Sequence, residues 1–383
     1  MFWLHSKFFQ LHRNAPALAD TASKWRLALA LLLICIVHIS MTKSFYNWDL
    51  VGYLGAAYTM RGYSDPHRRT YEDLAAAVPA GIMRGLVTSD YRATIAASPS
   101  EFTAAVRFYL VKPAYPALML AVSAVTDLSL ISASTWISRL AYILSALLLY
   151  FWLAGRPVGS MLAFLIAVCA ASSEYMLDLA RYNTPDALAL LFTLSAWWCF
   201  ERQRDTAAMA IIAASVAVRP DNVLLVVLLG WAMFRRAPSW KIAMLAACGI
   251  GLHMLFRWYA DYPGWQAQFA TSFFRGSIAA PSLADYLNIY LSLFLPTDVE
   301  RALWIFVPLN LAALVVARRG ANERLTQMLE LNLAFTALHW LVYPGENERL
   351  LVSAFLVSIV GMVLAANFFY SNEKKSLDIN RLR

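Results

Sequence analysis

The sequence predicts an all-α polytopic membrane protein with about ten transmembrane helices, judged by the length rule for bilayer crossing. Three observations carry that expectation. Of 383 residues, 60% are hydrophobic and only 15% charged, and the mean hydropathy is +0.54, outside the range of soluble globular chains. The apolar residues fall in continuous runs rather than the short alternating segments of a barrel. The charged residues collect between those runs.

Taken in order, Lys7, Arg13, Lys24 and Arg26 precede an apolar run from Leu27 to Met41. That is the charge pattern of a signal sequence, but His38, Met41 and Lys43 stand where a small-residue cleavage site would be, so an uncleaved anchor with a cytoplasmic N-terminus is expected. Apolar runs bounded by charge place spans near 25–42, 135–154, 158–173, 185–200, 206–219, 222–235, 240–257, 301–317, 325–343 and 349–370. Two shorter runs, 113–127 and 284–295, fall below the roughly 17 to 25 residues of a crossing and are expected to be re-entrant or interfacial.

With both runs left outside, the cytoplasmic loops hold Arg156, Arg202, Arg204, Arg235, Arg236, Lys241, Arg318, Arg319 and Arg324, nine cations against three (Arg181, Arg219 and Arg349) in the short outer loops. The positive-inside rule then sets the orientation and puts the C-terminal tail in the cytoplasm as well. It also accounts for the net charge of +8, so no nucleic-acid partner is expected. Cys35, Cys169, Cys199 and Cys248 all sit in apolar runs without metal-ligand or paired spacing and read as packing residues.

The same orientation leaves a large outer segment, 43–134, too polar to span. Pro66, Pro79, Pro99, Pro113 and Pro116 should break it into short helices. Loops of that length in compact proteins are usually functional. A second outer segment, Trp258 to Glu300, has a similar mixture of aromatic and charged residues. The chain is read as one integral membrane domain, with 1–260 forming the module that carries the chemistry and 261–383 the C-terminal helices.

Four outer stretches bring acids and bases to one face. They hold Asp49 in SFYNWDLVGY, Arg181 and Asp186 in LARYNTPDA, Arg219 and Asp221 in RPDN, and Glu346, Glu348 and Arg349 in YPGENER. Charge at a membrane boundary is costly and tends to be functional. Asp186 and Asp221 have a competing explanation, because each sits beside a proline at a helix start and can oppose the positive end of the helix. Asp49 lacks that context, since the residues around it do not open an apolar span. In RFYLVKPAYP, Arg107 and Lys112 flank aromatic residues ahead of a proline break, a placement suited to holding a phosphate at headgroup depth, although contact with ordinary lipid headgroups needs no more. The six histidines show no metal-ligand spacing. No nucleophile elbow, phosphate loop or dinucleotide fingerprint occurs.

With these residues in view, the chain resembles the GT-C superfamily of membrane glycosyltransferases, in particular the branch of the aminoarabinose transferase and the protein O-mannosyltransferases. The resemblance covers roughly the first 260 residues and rests on the order of NWDLVGY, VKPAYPALMLAV, ARYNTPDAL and RPDN, with YPGENERLLVSAF near the end. It implies a polyprenyl-phosphate sugar as donor, a large periplasmic cavity in a bacterial inner membrane, and inversion at the sugar carbon. The acceptor would be a hydroxyl of an envelope glycan, lipid or protein. Carried onto this chain, Asp49 would be the base, and Lys112 with Arg219 or Arg349 would bind the lipid phosphate. A single acid follows the first span, so neither metal nor cofactor is expected. Two other classes fit the same residues. One is a lipid or glycan transporter with 206–219 and 222–235 as halves of a broken helix. The other is a polymerase or ligase using a polyprenyl pyrophosphate.

Overall fold

The computed structural model describes residues 17–264, 266–267, 282–294, 306–320, 322–342 and 351–381. Among them there is no β-strand, only an isolated bridge between Phe45 and Tyr182. The first long helix, α1 (Ala17–Met41), is followed by six shorter ones: α2 (Trp48–Met60), α3 (Pro66–Ala77), α4 (Ala80–Val87), α5 (Asp90–Ala97), α6 (Pro99–Leu110) and α7 (Ala114–Thr126). Next come α8 (Leu130–Ala154), α9 (Ser160–Ala171), α10 (Glu174–Arg181), α11 (Asp186–Glu201) and α12 (Asp205–Ser215). A 3-10 turn at Pro220–Asn222 leads into α13 (Val223–Arg236) and α14 (Trp240–Tyr259). The last are α15 (Leu283–Phe294), α16 (Phe306–Arg319), α17 (Glu323–Val342) and α18 (Val352–Arg381).

Four of the six short helices start on a side-chain cap. Asn47 caps α2 by accepting from the Leu50 amide, and Asp65 caps α3 by accepting from Arg68 with Pro66 in the first turn. Ser98 caps α6, again with a proline following. Each cap satisfies a helix-end donor that water or protein must otherwise meet. Pro113, without an amide proton, separates α6 from α7, and the two axes differ by 95°. These helices build an apolar core of their own around Leu50, Tyr53, Leu54, Phe102, Val106, Tyr115 and Met119. α2 and α6 approach closely because α2 carries glycines where they meet. A Cβ on Gly55 would lie 2.6 Å from Phe102 and 2.7 Å from Val106.

The larger core joins α1, the latter part of α8, and α9 to α14 with α16 to α18, and buries Leu31, Trp152, Trp197, Phe200, Leu225 and Leu356. The N-terminal turns of α8 belong to the smaller core and its later turns to the larger, so this helix couples the two.

The expectation of about ten spans is not met. Among the described residues four helices have the length and composition to cross a membrane, Ala22–Met41, Leu130–Ala154, Trp240–Tyr259 and Val352–Phe369. The number rises to six if the bent pairs α6–α7 and α9–α10 each count as one span. The physical reason is length. The runs at 185–200, 206–219 and 222–235 form helices of 16, 11 and 14 residues. At 1.5 Å per residue these reach only about 17 to 24 Å, short of the roughly 30 Å of a hydrocarbon core. Protein covers the fully buried Trp197 and Phe200 of α11, whereas Val227, Trp231 and Phe234 of α13 stay exposed. The run at 301–317 yields the 14-residue α16 over its described part, and α17 carries Glu323, Arg324 and Glu330 within its 20 residues. Of the two shorter runs, 113–127 becomes α7, the second arm of a bent pair, and 284–295 becomes the 12-residue α15. Neither is a candidate span by itself.

Candidate active site

The residues singled out at Asp49, Lys112, Asp186, Arg219 and Asp221 come together although they lie on four separate stretches of chain. Contrary to expectation, Asp49 does share the helix-start context of Asp186 and Asp221: it is half-buried in the first turn of α2, which Asn47 caps, and can oppose the positive end of that helix. Its Oδ1 accepts from the Tyr109 hydroxyl at 3.1 Å, and its Oδ2 accepts from the side-chain amide of Asn47 at 3.3 Å. Lys112 lies in the turn after α6, where its ammonium donates to the Tyr53 hydroxyl at 3.2 Å and sits 5.6 Å from the ring centres of both Tyr53 and Tyr109. Those rings meet edge to face with centroids 4.9 Å apart.

The turn holding Lys112 is tied to the next stretch by the Ala114 amide, which donates to the Ala217 carbonyl at 3.0 Å. Two residues further on, Arg219 is locked between carboxylates. It donates to Asp186 Oδ1 at 2.6 Å and forms a two-point contact with Asp221 at 3.1 and 2.9 Å. Asp186 in turn accepts from the Thr184 hydroxyl at 2.8 Å. Its loop is pinned to α8, because Asn183 donates to Ser134 and Thr135, and Ser138 donates to the Thr184 carbonyl. His339, near the end of α17, places Nδ1 3.3 Å from Asp221 Oδ2.

Charge is handled differently on the two sides of this cluster. Arg219 is mostly buried at 16% side-chain exposure, and a buried guanidinium of that kind needs its carboxylates. Burial by itself would raise the pKa of Asp221, but Arg219, His339 and Lys112 outweigh it and bring the group from 3.8 to about 2. Lys112 makes no ion pair among the described residues. The Tyr53 phenol is pushed well above its usual range, first by burial and then by the carboxylates of Asp49 and Asp186, so it stays a neutral hydroxyl. Among the described residues no group of three or more His, Cys, Asp or Glu side chains is placed to hold a metal.

Two other candidates lie elsewhere. Arg181 pairs with Asp178 at 3.0 Å within its own helix, and Arg107 pairs with Asp261 at 2.7 Å on an exposed surface. Arg349, with Glu346 and Glu348, falls outside the described residues. Tyr53, Tyr109, Thr184 and His339 are in the cluster without having been singled out in the sequence. Two left a trace there: Tyr53 is one helical turn after Asp49, and Tyr109 is one turn before Lys112. His339 left none beyond being polar within an apolar run.

A second charged cluster sits at the other end of α11. Glu201 pairs with Arg156, while Asp205 pairs with Arg236 and with Arg324 at 2.8 Å. Asp186 and Glu201 are the first and last residues of the same helix, so the two clusters are about 22 Å apart by helical rise. Together they clamp α11, α12, α13 and α17 at both ends.

Comparison with known protein families, characterised proteins and solved structures finds no match to this chain.

Proposed function

We propose that the protein is an inverting glycosyltransferase that moves a sugar from a polyprenyl-phosphate donor to a hydroxyl of an envelope glycan, lipid or protein at the periplasmic face of a bacterial inner membrane. The observation that supports this most is the coexistence, in one aromatic-lined site, of a half-buried carboxylate and a cation that has no carboxylate partner among the described residues. In this reading Asp49 takes the proton of the acceptor hydroxyl as its oxygen bonds to the anomeric carbon. The bond from that carbon to the phosphate oxygen breaks, its electron pair leaves with the polyprenyl phosphate, and attack from the opposite face inverts the centre. General-base assistance of this kind contributes about 10² to 10⁴ in rate.

The charge on the departing phosphate falls to Lys112. Arg219 already serves two carboxylates, so its role here is to hold the RPDN turn beside Lys112, with Asp186 and Asp221 as its fixed partners. Gathering of charge at helix ends rather than mid-helix suits an enzyme site at the membrane face better than the central binding site of a transporter.

The test is transfer by purified protein from a panel of radiolabelled polyprenyl-phosphate and polyprenyl-pyrophosphate sugars, beside vesicle flux of the same lipids. Transfer from a monophosphate donor is expected. Transfer from pyrophosphate donors alone would reassign the linkage, and flux without transfer would make the protein a transporter.

A further inference from the structure

We infer that Tyr109 is a positioning residue for Asp49, and that the Tyr53–Tyr109 pair keeps the carboxylate from collapsing onto Lys112. The inference rests on the reading of Asp49 as the base. Opposite charges in one partly desolvated site attract, yet Lys112 forms no ion pair with Asp49 and each is bonded to its own tyrosine. Tyr109 donates to Asp49 at 3.1 Å and Tyr53 accepts from Lys112 at 3.2 Å, with the two rings packed edge to face between these bonds. Were the two paired with each other, Asp49 would be a poorer proton acceptor and Lys112 a poorer phosphate ligand.

The backbone is arranged to permit this. Tyr109 and Lys112 are three residues apart at the end of α6, so one rigid segment sets both contacts. Asn47 caps α2 through its oxygen and donates to Asp49 Oδ2 through its nitrogen, which fixes the second carboxylate oxygen from the other side. Gly52 is the third part. A Cβ there would collide with the Tyr109 ring, so only glycine lets the ring lie against α2 with its hydroxyl within reach of Asp49.

The experiment is a kinetic double-mutant cycle on transfer from the polyprenyl-phosphate sugar. Tyr109→Phe is expected to lower kcat by about 10- to 100-fold, the worth of one hydrogen bond to a charged group, with donor KM within about twofold of wild type, the pattern of a contact that matters in the transition state. Asp49→Asn combined with Tyr109→Phe should be no slower than Asp49→Asn. A tyrosine that merely packed would give additive losses. Gly52→Ala keeps the hydroxyl but displaces the ring, and it should reproduce the kcat loss by an independent route. An inactive Asp49→Asn beside wild-type kcat in Tyr109→Phe and Gly52→Ala, or an additive cycle, overturns this inference alone. Full transfer by Asp49→Asn overturns the base assignment and this inference with it.

Discussion

Lys112 and Arg219 are both basic residues in the same cluster, and their surroundings separate them. Arg219 is enclosed by Asp186 and Asp221, whereas among the described residues Lys112 has hydroxyl and ring partners alone. Lys112→Gln is expected to leave the unfolding temperature in detergent near wild type while raising donor KM by about tenfold or more, the range of a charge-assisted hydrogen bond. Arg219→Gln should do the reverse, destabilising by about 3 to 5 kcal/mol because it strips the guanidinium from the buried Asp186 and the half-buried Asp221. The pH dependence follows from Asp221. Its folded pKa lies below its unfolded value, so its contribution is complete above about pH 4 and is lost as pH falls toward 2. Thermal melts should show this acid-side loss in wild type, and Asp221→Asn should flatten it within that window. These residues were legible in the sequence as charges beside prolines, but their partners were not. Nothing in RPDN says that its arginine reaches back 33 positions to Asp186, because such a pairing exists only once α11 and α12 have packed.

Helices repeat that division between local and packed information. The break at Pro113 is legible directly because it acts on its own neighbours, while the caps at Asn47, Asp65 and Ser98, equally local, were not among the expectations. The short helices α11 to α13 could not be told from spans. An apolar run facing protein and one facing lipid have the same composition, and only length separates them. The α2–α6 contact is the element most exposed to a single change. Gly55→Leu puts a branched side chain where Phe102 and Val106 already sit 2.6 and 2.7 Å from a bare Cβ. Overpacking of this kind costs about 1 to 3 kcal/mol. Because α2 carries Asp49, the loss of thermal stability should come with a loss of transfer, and both are measurable on the same preparation.

At the scale of the molecule, two apolar cores joined by α8 leave one charged cluster at each end of α11. If those ends face opposite sides of the membrane, reporters beside them must differ in access. In a background without the four native cysteines, Ser89→Cys in the outer segment should react with an impermeant maleimide in intact spheroplasts. Gln203→Cys, next to the Glu201 and Asp205 pairs, should react only after permeabilisation. Labelling of both from one side would remove the orientation and the periplasmic site together. The central claim is more direct still: a carboxylate near the start of α2 removes a proton while a lipid phosphate departs. It is tested by the single-turnover rate of transfer from a polyprenyl-phosphate sugar, wild type against a folded Asp49→Asn protein. A fall of about 10² to 10⁴ is expected with the lipid donor still bound, and an unchanged rate in the variant would overturn the base assignment.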